Sequence, residues 1–271
     1  MIIELFGPPG AGKTTFARAL TARLRESGHK VDLMLSYRPA EGRSALIRRP
    51  SRPAAYQGAS VPRRLSRAFL EVLAIVRHPF ALLQDIETAV DLLKLLPPGN
   101  IARAIQLSQY SLRLSHSWHH ASTTRSIVLF DQAFVQLVCS LALLSRAADK
   151  SLIASAVDIA PRSDLAIRLE APPDILAARL ADRKCQQGAF ERLLECDLNT
   201  SLKSTEITDQ LHQMLIERGR LIVCASSLDR QSLNEAVKST EGVLAAKLGP
   251  VLQPPAEQSS HAVNLVGKVA T

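Results

Sequence analysis

The sequence predicts a three-layer α/β fold on a parallel sheet of about five strands, in the order 2-3-1-4-5, with a helical insertion between the second and third strands. Three observations point there. The chain opens with a short apolar run, a glycine-rich turn, a helical pattern and a second apolar run, a βαβ unit that implies parallel pairing. The same alternation returns near residue 126 after a long interruption. With 271 residues, 46% of them hydrophobic, the chain can bury one sizeable core or a core with an inserted subdomain.

In order, residues 2–6 (Ile-Ile-Glu-Leu-Phe) have strand character and stop at Gly7. Residues 14–27 carry apolar side chains at helical spacing (Phe16, Ala17, Leu20, Leu24), and Gly28 stands where a C-terminal cap belongs. Residues 31–35 form the second strand. From Arg38 to about Ala121 the alternation stops. A Pro- and Arg-rich stretch leads into helical segments near 63–77, 79–96 and 100–119, with apolar positions such as Leu82, Ile86, Val90 and Leu93. Residues 38–121 therefore form a basic helical insertion, the expected place of an acceptor or partner site. Residues 126–130 make a strand ending at Asp131, followed by a helix to about 147. A strand over 164–169, helices over 172–184 and 201–218, a last strand over 220–224 and a helix over 229–247 complete one domain, 1–248. Residues 249–271, with Pro250, Pro254 and Pro255, read as a disordered tail.

Composition narrows the class. Aromatics are 4% of the chain, so aliphatic side chains must fill the interior. Glu4 interrupts the opening apolar run, which argues against a secretory leader. The apolar stretches 68–83 and 127–144 are broken by Arg77-His78-Pro79 and Asp131-Gln132, leaving no clean run of roughly 20 residues for a membrane span. Four cysteines are scattered without a C-x-x-C pair, as in reduced, cytoplasmic proteins. The net charge of +8 is concentrated: residues 38–67 hold eight arginines against the single acid Glu41. Guanidinium groups bind phosphate-like oxygens bidentately, so this segment is expected to meet an anionic or protein partner, or else to remain a solvated basic loop. The scarcity of aromatics weighs against single-stranded nucleic acid. The oligomeric state stays open, a homodimer included.

The most specific signal is Gly7-Pro8-Pro9-Gly10-Ala11-Gly12-Lys13-Thr14, followed by Thr15. It matches G-x-x-x-x-G-K-[ST] at every fixed position and lies between a strand and a helix, as a P-loop must. Glycines let backbone N–H groups approach phosphate oxygens, and the helix that follows turns its positive end toward the same anion. The implied ligand is MgATP, with Lys13 on the β- and γ-phosphates and the Thr14 hydroxyl on Mg²⁺. Asp131, at the end of an apolar strand, is the expected second Mg²⁺ holder, with a helix N-cap as its plainer role. His116, His119 and His120 have metal-like spacing but no neighbouring Cys or acid, and read as a polar loop. Trp118 is a base-stacking or core residue, and Glu4 an acid on an unusually central strand.

With these residues in place the chain resembles the P-loop kinases, most closely the thymidylate kinase branch of the nucleoside monophosphate kinases. The resemblance covers roughly 1–37 and 122–247. It rests on Gly12-Lys13-Thr14-Thr15, on Tyr37-Arg38-Pro39-Ala40-Glu41-Gly42 after the second strand, and on Ala171-Pro172-Pro173-Asp174 leading to a helix with spaced arginines. Residues 220–226 (Arg-Leu-Ile-Val-Cys-Ala-Ser) resemble the last strand, which in that family passes near adenine. The chain departs from the family at Asp131-Gln132, where Asp-Arg is usual. The resemblance implies phosphoryl transfer from MgATP to a small anionic acceptor such as a nucleoside monophosphate. Lys13 and Asp131 would be catalytic, Arg179, Arg183 and Arg192 would form a lid, and Tyr37 and Arg38 would lie beside the acceptor. The alternative is an ATP-binding switch or weak ATPase whose arginine-rich insertion docks a partner.

Overall fold

The structure, a computed structural model, describes residues 1–36, 79–145, 148–186 and 198–248. Tyr37, Arg38, Arg192, the arginine-rich segment 38–67, the expected helix at 63–77 and the expected tail lie outside the described residues, as does the side chain of Arg183.

Five strands, β1 (Ile2–Phe6), β2 (Val31–Met34), β3 (Ile127–Phe130), β4 (Leu165–Glu170) and β5 (Ile222–Ser226), form one sheet in the order β2-β3-β1-β4-β5. Every pairing is parallel. Among the described residues eight helices accompany them: α1 (Lys13–Glu26), α2 (Pro79–Leu95), α3 (Ile101–Thr123), α4 (Phe134–Leu144), α5 (Lys150–Ile159), α6 (Pro173–Gln186), α7 (Leu198–Glu217) and α8 (Arg230–Leu248). This is the expected three-layer P-loop fold. No helix among the described residues is long and apolar enough to cross a membrane.

β1 shows why the layers form. It is buried on both faces, as the central strand of a parallel sheet must be. Ile3 and Leu5 pack with Phe16, Leu20 and Leu24 of α1 and with Val237 and Leu244 of α8. Ile2 and Phe6 pack on the opposite face with Phe134, Leu137 and Leu141 of α4. Gly28, in the left-handed region at φ 87, ends α1 with His29 N–H donating to Leu24 O and Gly28 N–H to Arg25 O, a Schellman cap.

Two sequence expectations change, and a choice left open at Trp118 is decided. The helix expected up to residue 147 ends at Leu144, and α5 follows. α5 buries only Ile153, Ala156 and Val157, too narrow a stripe to stand out by periodicity. Its start is fixed by Asp149, whose carboxylate accepts the Leu152 N–H. His116, His119 and His120 lie in the last turns of α3 rather than in a loop, because Leu114, Trp118 and Ala121 are buried at helical spacing through that stretch. Trp118 is a core residue: its ring meets Phe130 at 5.4 Å and Phe134 edge-on at 5.2 Å.

Candidate nucleotide site

The P-loop leaves β1 at Gly7, where φ is 147 and an added Cβ would collide with the carbonyl oxygen of Leu169 in β4. Only glycine fits so close to a neighbouring strand. At Gly12 (φ 89) a Cβ would lie 3.1 Å from Ser227 Oγ, so the loop is pressed against the turn after β5. Ala11 turns into the core at 0% exposure. Gly12 is also the N-cap of α1, whose first turn has neither a side-chain cap nor an acid. The positive end of α1 is thus presented to the loop.

Lys13 is buried and folded along the loop, its Nζ donating to Gly7 O at 2.7 Å and Pro8 O at 3.0 Å. Thr14 Oγ1 donates to Asp131 Oδ2 at 2.8 Å. Asp131, 1% exposed, accepts the Ser36 N–H on Oδ1 at 2.6 Å and the Ser36 hydroxyl on Oδ2 at 3.3 Å. The register of β1, β2 and β3 produces this meeting, since the Asp131 N–H continues the ladder to Met34 O. Asp131 does not cap α4, whose N-cap is Ala133 without a side-chain bond. A hydroxyl and a carboxylate side by side are hard oxygen donors of the kind Mg²⁺ takes alongside phosphate oxygens and water.

Behind the loop, two further side chains hold it. Gln136 Oε1 of α4 accepts the Gly7 N–H at 3.1 Å. Glu4, fully buried, accepts the Val135 N–H on Oε2 at 3.1 Å and the Ser163 hydroxyl on Oε1 at 2.7 Å. A carboxylate from the sheet therefore does for α4 what its own N-cap does not. Burial pushes the Glu4 carboxyl up from its ordinary value, partly offset by these bonds and by Arg220. On α3, the Tyr110 hydroxyl donates to Gln132 O at 3.1 Å. Its phenol is pushed up, first by burial and then by the carboxylates of Asp131 and Glu4.

The opposite wall comes from α6 and the turn before α8. Arg179 donates through Nη1 to Gly10 O at 3.1 Å, and through Nη2 to Ser227 O and Leu228 O, each at 2.7 Å. The turn itself is braced. Asp229 Oδ1 accepts the Ser232 N–H at 2.8 Å, and Ser232 Oγ accepts the Asp229 N–H at 3.0 Å, a reciprocal capping box.

A cleft of about 740 Å³ runs between these walls, lined by Lys13, Thr14, Thr15, Gln132, Arg179 and Asp229 among others. A smaller cavity of about 170 Å³ lies where β2 and β3 meet α3, lined by Met34, Ser36, Tyr110, Arg113, Phe130 and Gln132 among others. Gln132 borders both. The structure thus gathers Lys13, Thr14, Thr15 and Arg179 around one cleft, with Asp131 buried beside it on the Thr14 hydroxyl. Gln136, Ser36 and Tyr110 were not foreseen, since nothing in their local sequence marks them. The Asp229-x-x-Ser232 spacing was a readable signal. Among the described residues no group of three or more His, Cys, Asp or Glu side chains has a metal-holding arrangement.

Compared by sequence, the chain matches no protein family and no curated protein. Compared by fold, it is similar to solved structures of a deoxyadenosine kinase from M. mycoides. The one with the products dCMP and a flexible dCDP bound is 12% identical, over 91% of this chain and 100% of that chain, with a TM-score of 0.49. The one with dATP bound is 14% identical, over 89% and 100%, with a TM-score of 0.48. Likenesses at this level concern the chain path and leave substrate to the chemistry of the site.

Proposed function

We propose that this protein is an ATP-dependent phosphotransferase, similar to nucleotide kinases, that moves the γ-phosphoryl group of MgATP to a small acceptor. The observation that carries this is the Thr14–Asp131 pair at 2.8 Å, with Thr14 lining the same cleft as Lys13 and the P-loop. The P-loop amides and the α1 N-terminus bind the phosphates, and Lys13 exchanges its contacts with Gly7 O and Pro8 O for phosphate oxygens. Thr14 and Asp131 would hold Mg²⁺, which would supply positive charge against the phosphates. The smaller cavity takes the reacting end of the acceptor, with Arg113 in its wall and Gln132 between it and the larger cleft. Tyr37 and Arg38, which follow Ser36 directly in the chain, extend that acceptor site. Arg183 and Arg192 close over the transferring group, where such arginines contribute about 10³–10⁵ in rate.

The test is ADP release from MgATP, alone and with a panel of nucleosides, nucleoside monophosphates, sugars and sugar phosphates, with Lys13→Ala as blank. Stimulation by one acceptor, lost in the variant, supports the kinase and names its substrate class. ATP binding without a phosphorylated product from any acceptor rejects it. That outcome favours the second reading, an ATP-binding switch or weak ATPase, which the eight arginines of residues 38–67 motivate. Replacing Arg48, Arg49, Arg63 and Arg64 together by alanine separates the two: a kinase loses acceptor affinity, whereas a switch loses its partner and keeps its ATP turnover.

A further inference from the structure

Arg179 was expected in the lid, over the transferred phosphoryl group. Its guanidinium is instead engaged by three backbone carbonyls: Gly10 O of the P-loop, and Ser227 O and Leu228 O of the turn between β5 and α8. Both loops line the 740 Å³ cleft, with Lys13 and Thr14 on the P-loop side and Asp229, Arg230 and Leu233 on the side of the β5–α8 turn. They also touch beside the guanidinium, where a Cβ on Gly12 would lie 3.1 Å from Ser227 Oγ, a tight contact. The β5–α8 turn is internally rigid through the Asp229–Ser232 capping box. Arg179 therefore joins two preformed pieces, and it does so through main-chain oxygens that no side-chain substitution in either loop would remove.

We propose that Arg179 is a positioning residue that couples the two loops lining the nucleotide cleft, so that phosphates held on the P-loop and a nucleoside held at the β5–α8 turn bind as one ligand. This rests on the nucleotide reading above. A ligand anchored only by its phosphates needs the P-loop, α1 and Lys13. A ligand that spans the cleft needs both loops at a fixed separation, and holding that separation before binding lowers the ordering cost. The planar fork is what reaches carbonyls of two loops at once. A lysine keeps the charge but not the geometry.

The experiment is isothermal titration of the full chain with two probes, ATP and inorganic tripolyphosphate, in wild type, Arg179→Ala and Arg179→Lys, with circular dichroism to confirm folding. The expected result in both variants is ATP affinity weakened by roughly tenfold or more, with tripolyphosphate affinity changed by less than about threefold, within the usual mutational scatter. Tripolyphosphate weakened as much as ATP would place Arg179 in the phosphate site and overturn the proposal. ATP binding unaffected in the folded variants would overturn it as well. If Arg179→Ala does not fold, Arg179→Lys decides by the same comparison. Wild-type protein that binds neither probe overturns the nucleotide reading and this proposal with it, whereas normal wild-type binding with either adverse pattern overturns this proposal alone.

Discussion

The two flanks of the P-loop are built from opposite chemistry. On the β3 side, a buried carboxylate, Asp131, gathers donors: the Thr14 hydroxyl, the Ser36 hydroxyl and the Ser36 N–H. On the β4–β5 side, a cation, Arg179, gathers acceptors, all of them backbone carbonyls. A hydroxyl on a carboxylate can be exchanged for a metal ion, so the first flank is suited to chemistry. Main-chain carbonyls on a guanidinium offer nothing to exchange, so the second is suited to holding shape.

Substitutions can break this comparison, the largest effect first. Lys13→Ala removes the cation of the loop itself, which bonds Gly7 O and Pro8 O. It should reduce ATP turnover by about 10²–10³-fold, the scale of losing one preorganised donor, as measured by ADP release at saturating MgATP. Turnover within a few-fold of wild type would remove the P-loop from the reaction. Asp131→Asn strikes the first flank alone. It should cost about tenfold to a hundredfold in turnover and raise the Mg²⁺ concentration needed for half-maximal rate, because a neutral amide is a weaker ligand for a hard cation. A Mg²⁺ titration superimposing on wild type would reassign the metal to other groups.

Gly7→Ala reaches the frame rather than the chemistry. The added Cβ meets Leu169 O at a backbone angle of φ 147, so urea denaturation should show a loss of about 1–3 kcal/mol. Gly28, also at positive φ but with open space around it, should lose no more than about 1–2 kcal/mol when changed to alanine. Equal losses would mean that the approach to β4 adds no strain of its own.

Smallest is the effect of Glu4→Gln. Burial raises the Glu4 carboxyl above its ordinary value of 4.5. Its favourable contribution is therefore complete below that value and declines as pH rises through the higher folded-state value. The glutamine variant should show a flatter decline of stability with pH in that window, measured by urea unfolding at a series of pH values. An unchanged slope would assign the effect to another group.

Much of this protein is legible along the chain. The glycines and Lys13-Thr14 mark the P-loop because the phosphate cradle demands local things: positive φ, an open helix N-terminus and a short reach. Parallel pairing followed from the βαβ rhythm and the strand order from the resemblance to P-loop kinases, and Asp131 stood out because it ends an otherwise apolar run. Helix α5 did not stand out, since a short helix buries too few side chains to make a pattern.

Tertiary structure decided which residues hold these pieces to one another. Gln136 finds the Gly7 N–H from 129 positions away, Val135 finds Glu4 across 131, and Arg179 reaches Gly10 O across 169. The last of these gives a residue expected in the lid a different set of partners. Local backbone geometry leaves its mark in spacing and residue type. A bond between distant segments depends on the packing of whole helices against the sheet, and no short stretch of sequence contains that information.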